Sequence, residues 1–142
     1  MNLDLASLDT VAACDAGAEI ELLHPTNGTP LDIWISVLGR DSQVFKAYTR
    51  QSINARLRKE AANRRRGRES EVATVELAEE DSTGALVACT RAWRTGKKPV
   101  ITFRGEDLCF TPENAVTIYN ALPWIKRQVD DAIGDLENFL KP

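Results

Sequence analysis

One histidine, one methionine and three cysteines in 142 residues leave little of the chemistry that enzymes and metal sites use. His24 sits beside Pro25 at a strand end with no nucleophile near it in a recognisable motif, so it reads as a turn or surface residue rather than a general base. Cys14, Cys89 and Cys109 are odd in number, widely spaced and without a Cys-x-x-Cys pair. A zinc site is not expected; three reduced, mostly buried thiols in a cytosolic protein are. Gly96-Lys97 resembles the end of a phosphate loop, but the glycine required five positions earlier is Arg91 and no serine or threonine follows the lysine. Carboxylates are plentiful, yet Glu19, Glu21, Glu79, Glu80, Asp130 and Asp131 fall on expected solvated faces, and paired acids need a pocket. No enzyme activity, cofactor or metal is therefore expected.

Long apolar runs are missing as well, so no bilayer-spanning segment is expected. Met1 to Asp15 carries Asp4 and Asp9 and lacks a basic opening and a long apolar stretch, so it does not read as a signal peptide. A soluble, non-exported protein is the expectation. The net charge of -3 offers no general attraction to nucleic acid or anionic membrane.

What is present is an ordinary globular composition, 43% hydrophobic and 27% charged, in a length suited to one domain over residues 1–142. A short helix is predicted around Leu3 to Ala13. From Ala18 to His24, Ile20 and Leu22 alternate with Glu19 and Glu21, the pattern of a half-buried strand. Pro25, Asn27, Gly28 and Pro30 supply a turn, and Ile33, Ile35 and Val37 then alternate with Trp34, Ser36 and Leu38. The two segments predict an antiparallel hairpin.

Asp41-Ser42 offers an N-cap to a long helix ending near Arg66, with Gly67 as its stop. Its apolar residues make two sides: Val44, Tyr48 and Ala55, with Phe45 at their edge, and nearly opposite them Ile53, Leu57 and Ala61. One side should pack on the sheet and the other remain for a protein partner or self-association. Val44, Phe45, Tyr48, Ile53 and Leu57 are thus the candidate binding residues, with Phe45 and Tyr48 favoured because aromatics dominate interface hot spots.

A second helix is predicted from Glu69 to Trp93, since Val75, Ala78, Ser82, Leu86, Cys89 and Trp93 keep to one face straight through Gly84. Charge divides between the two helices: Lys46 to Arg68 holds nine basic residues and one acid, Glu60, whereas Glu69 to Asp81 holds six acids and no base. The Arg56 to Arg68 block could meet phosphate, but it lacks interleaved aromatics and is followed at once by acids, which disfavours nucleic acid.

After a polar Arg94 to Lys98 loop, Val100 to Phe103 and Leu108 to Phe110 flank Arg104-Gly105-Glu106-Asp107 as a second hairpin. Thr111-Pro112-Glu113 opens a helix, with threonine as cap and proline at the first helical position. Pro123 begins a terminal amphipathic helix whose apolar face is Ile125, Val129, Ala132, Ile133, Leu136 and Leu140, with Lys126–Asp130 and Arg127–Asp131 pairs opposite. Leu136 is expected in the core, and Trp34, Trp93 and Trp124 are expected as core anchors. The fold class predicted is α+β, with two short hairpins and about four or five helices, among them the long basic helix and the C-terminal amphipathic one.

Three stretches together carry a family resemblance: Leu38 to Gln51 (LGRDSQVFKAYTRQ), the helix expected to end at Trp93, and Phe110 to Leu140 (FTPENAVTIYNALPWIKRQVDDAIGDLENFL). They resemble the tail assembly chaperones of siphophages, in the short, non-frameshifted form. The last stretch is the specific one, through Pro112-Glu113-Asn114-Ala115, Tyr119, Pro123-Trp124-Ile125, Gln128-Val129 and Asn138-Phe139-Leu140. The resemblance implies a non-enzymatic factor of the host cytoplasm that coats the tape-measure protein, keeps it soluble and helps recruit tail-tube protein, through a longer form where one is made. It also implies absence from the finished virion. The Arg64-Arg65-Arg66 run and the Arg94 to Lys98 loop depart from the family's pattern. Two other classes compete: a structural minor tail or head-tail connector protein, and a nucleic-acid-binding regulator using the Arg56 to Arg68 helix.

Overall fold

The computed structural model describes residues 4–67 and 75–140. Leu3, Arg68 and the acidic block from Glu69 to Thr74, where the second helix was expected to begin, lie outside the described residues.

Two aspartates divide the N-terminal segment. Asp4 accepts the Ala6 amide at 2.9 Å and opens a 3-10 turn over Leu5–Leu8, and Asp9 accepts the Ala12 amide at 3.0 Å and caps helix α1 (Thr10–Ala16). The single helix expected from Leu3 to Ala13 is therefore two pieces, because Asp9 stands extended as a cap between them. Strands β1 (Ala18–Leu23) and β2 (Pro30–Val37) then form the expected antiparallel hairpin, with Ile20 opposite Ile35 and Glu21 opposite Trp34. Ser42 Oγ accepts the Phe45 amide at 3.2 Å to cap helix α2 (Gln43–Arg65), so both ends of the long helix lie where the sequence puts them.

Helix α3 (Val75–Cys89) is followed at once by strand β3 (Thr90–Thr95), which corrects the expectation of a helix reaching Trp93 and of a loop from Arg94. β2 would otherwise present a bare row of amides and carbonyls, and β3 pairs with it antiparallel, placing Trp93 opposite Ile35 and Arg94 opposite Trp34. A register shift where Val37 meets Thr90 lets the chain pass from helix to strand. The sheet order is β1-β2-β3.

The second hairpin joins β4 (Val100–Phe103) to β5 (Glu106–Cys109) through Arg104 and Gly105 alone, both at positive φ (52° and 80°), the geometry a two-residue hairpin turn needs. Trp93 fastens it to the sheet: the indole Nε1 donates to the Leu108 carbonyl at 2.9 Å, and the ring meets Phe110 edge-on at 5.3 Å. Helices α4 (Pro112–Ala121) and α5 (Pro123–Gly134) complete the α+β fold. Thr111 caps α4 by accepting the Asn114 amide at 3.0 Å.

The inward sheet face, with Leu22, Ile35, Val37 and Trp93, packs in one cluster with Leu86 and Cys89 of α3, Ile118 and Tyr119 of α4, and Ile125, Val129 and Ile133 of α5. The outward face carries Glu19, Glu21, Trp34 and Arg94. Trp34 is thus half-buried under Arg94 rather than a core anchor, while Trp93 is buried and Trp124 packs against the cluster's edge. Cys14 and Cys89 are buried and Cys109 is exposed.

At the C-terminal end the apolar stripe outruns its helix. Asp135 adopts an extended conformation and accepts the Glu137 amide at 3.0 Å, which turns the chain into a 3-10 segment over Leu136–Asn138. Leu136 is left 41% exposed, against the expectation that it lies in the core, and Phe139 enters the core in its place. Asp130 pairs with Arg40 at 3.0 Å rather than with Lys126.

Candidate functional site

α2 is the element on which apolar side chains are left over. Val44 and Phe45 pack against the margin of the core, because Ser42 starts the helix close to the sheet. Tyr48 is half-buried and turned towards α3, where its hydroxyl lies so close to Gly84 that a Cβ there would collide with it. α3 runs unbroken through that glycine, which is the residue that lets the two helices approach. Farther along, Ile53 and Leu57 are 52% and 57% exposed. The sequence favoured Phe45 and Tyr48 as the leftover aromatics; the structure gives them intramolecular neighbours and leaves Ile53 and Leu57 in solvent.

The five candidates are therefore not one patch. Phe45 and Ile53 come together, two turns apart, in an open groove of about 400 Å³ that also takes in Arg40, Lys46, Thr49 and Arg50. Leu57 continues the same line one turn beyond. Tyr48 lies on the other side of Ile53, in a smaller crevice of about 270 Å³ between α2 and α3, whose lining includes the ion pair between Arg56 and Asp81.

Arg40 ends the groove. Its backbone amide donates to the Ile133 carbonyl at 3.0 Å, its side chain pairs with Asp130, and its guanidinium carbon stands 5.8 Å from the Phe45 ring centre. The end wall is thereby tied to α5. Lys46 and Arg50 stand on the rim, and among the described residues no carboxylate pairs with either. Arg40, Lys46, Thr49 and Arg50 were not singled out from the sequence, although the i, i+4 series Phe45, Thr49, Ile53, Leu57, with Lys46 and Arg50 beside it, was there to be read.

A second concavity, about 630 Å³ and lined by polar and apolar groups in similar measure, lies between the β1–β2 turn and α5. There the Gln128 amide accepts the Leu23 N–H at 2.9 Å and donates to the Leu23 carbonyl at 2.8 Å, standing in for a neighbouring strand at the sheet edge. His24 lies in the adjoining turn, its Nδ1 accepting the Thr26 amide at 3.2 Å. Among the described residues no group of three or more His, Cys, Asp or Glu side chains is placed to hold a metal ion. No described helix is long and apolar enough to cross a membrane.

No protein-family model, curated protein or solved structure matches this chain.

Proposed function

We propose that this chain is a tail assembly chaperone of a long-tailed bacteriophage, which binds the tape-measure protein in the host cytoplasm, keeps it soluble and leaves before the virion is complete. The observation that carries the reading is the exposure of Ile53 and Leu57 in line with the Phe45 groove, on a helix otherwise dominated by charge. A holdase needs apolar surface for its client and enough charge around it to remain soluble when empty. The resemblance of the Phe110 to Leu140 segment to siphophage chaperones supports the same reading. Tail-tube protein and further copies of the chain are the other partners it implies.

Co-expression with the tape-measure protein encoded at the same locus tests it: the tape-measure protein should become soluble and co-purify. A tape-measure protein that stays insoluble, together with this chain in purified virions, would favour a minor tail or connector component. Duplex-DNA binding that falls steeply with salt would favour a regulator using the Arg56 to Arg68 basic block.

A further inference from the structure

The groove on α2 has a chemistry of its own that narrows what can occupy it. Its floor is apolar, formed by Phe45 and Ile53, and beyond it the exposed Leu57 follows on the same i, i+4 row, which winds gradually around the helix. Its rim is cationic, with Lys46 and Arg50 unpaired among the described residues, while the cation at its end, Arg40, is already neutralised by Asp130. A partner must therefore present an apolar stripe to the floor and negative charge to the rim.

From this we infer that the groove docks an amphipathic helix of another protein whose apolar stripe is flanked by glutamate or aspartate. Resting on the chaperone reading, this names the kind of client segment the site takes. The line Phe45, Thr49, Ile53, Leu57 offers an i, i+4 ridge into which a second helix can lay its own ridge. Two-fold self-pairing through this face would bring Lys46 and Arg50 against their own copies, a like-charge contact that works against a dimer here. A nucleic-acid backbone would satisfy the rim but leave the Phe45–Ile53 floor without a partner.

The inference is tested with a fluorescein-labelled synthetic helix carrying leucine on one stripe and glutamate on both flanks, and with its counterpart in which lysine replaces every glutamate. By fluorescence anisotropy the glutamate peptide should bind the full chain, and the lysine peptide about tenfold or more weakly. Ile53→Asp should weaken the glutamate peptide at least about tenfold, and Arg50→Glu should narrow or reverse the preference between the two peptides. Both side chains are exposed, so an unchanged thermal midpoint should certify that the variants fold.

Equal binding of the two peptides, or binding indifferent to Ile53→Asp, would overturn the inference. So would a concentration-dependent dimer dissolved by Ile53→Asp, or duplex DNA binding that Arg50→Glu abolishes and Ile53→Asp spares. The two levels fail separately. If both variants still solubilise the tape-measure protein, the groove is wrong and the chaperone reading stands; if the unaltered chain does not solubilise it, that reading falls while the peptides still report on the groove.

Discussion

Arg94 reaches from β3 across the sheet to Glu19 on β1, with Nε and Nη2 at 2.9 and 2.8 Å from the two carboxylate oxygens. On the way its guanidinium carbon lies 5.0 Å from the Trp34 ring centre on β2, and Nη1 donates to the Gly96 carbonyl at 2.7 Å. One side chain thus staples all three strands on the outward face. A lysine could not reproduce the fork or the stacking.

Arg94→Lys should accordingly lower the urea midpoint nearly as far as Arg94→Ala, and adding Glu19→Gln to either should cost little more. The hydrogen bond from Arg94 holds the Glu19 carboxyl below its ordinary value, so this part of the stability is present above the unfolded carboxylate range and fades as pH falls through the folded value. The pair is partly solvated and the effect is correspondingly small. A lysine variant as stable as the parent across pH would show that the fork is ornamental.

Beneath the sheet, Thr90 donates to the Leu86 carbonyl at 2.7 Å and so accepts from the Tyr119 hydroxyl, also at 2.7 Å. Thr90→Val strands a buried phenol, and should cost about 1–3 kcal/mol; Tyr119→Phe removes the group instead of stranding it and should cost about 1 kcal/mol. In the double variant the losses should fall short of their sum, because one interaction is removed twice. Strict additivity in urea unfolding would mean that the hydroxyls do not depend on each other.

Stability should also have an alkaline limb. Burial pushes the Cys89 thiol up to about 11 from its ordinary 9.0, and the Tyr119 phenol up to about 12 from 10.0. Both folded values are raised, so the unfolded chain gives up its protons first and stability falls as pH rises, from 9 to 11 through Cys89 and from 10 to 12 through Tyr119. Tyr119→Phe should flatten the upper part of that fall and Cys89→Ala the lower part. Urea midpoints that decline equally in the parent and both variants would place the titrating groups elsewhere.

The terminal stripe divides into core and surface. Ile133, fully buried on α5, should lose about 2–5 kcal/mol as Ile133→Ala. Leu136→Ala, beyond the break at Asp135, should lose clearly less, about 1 kcal/mol, because 41% of its surface stays in water and no enclosed cavity is left behind. Comparable losses from the two would indicate that α5 continues through Leu136 in solution.

Leu136 and Trp93 show where the sequence stopped being legible, and why. Period-two alternation fixed the faces of β1 and β2, and Ser42 with Gly67 bounded α2, because these signals are local. Trp93 falls four residues after Cys89, so it matched the helical stripe, and only the pairing need of the distant β2 makes that stretch a strand. Leu136 continued an apolar stripe whose periodicity says nothing of Asp135 turning the chain. In the groove, the two-sided character of α2 was visible, but which side is consumed depends on where α3 sits, a non-local fact. Arg40 was invisible as an end wall for the same reason, since its partner Asp130 is distant in sequence.

The seam between α2 and α3 supplies the last prediction. In a helix interior, Gly84→Ala should stabilise by up to about 1 kcal/mol from propensity alone. Here the new methyl would meet Tyr48 Oη, and Tyr48 can yield only by leaving the crevice it shares with Ser82 and Ala85. Gly84→Ala should therefore destabilise the parent. In a Tyr48→Ala background the obstruction is gone and the same change should stabilise. The reversal of sign in urea unfolding is the signature, and stabilisation in both backgrounds would sink the account. The experiment also bears on function: Tyr48→Ala should lower stability by opening the seam, whereas Ile53→Asp should leave stability nearly unchanged and impair client solubilisation. If Tyr48→Ala instead abolished solubilisation at unaltered stability, the crevice side of α2 would be the client face, and the groove of Phe45 and Ile53 would not.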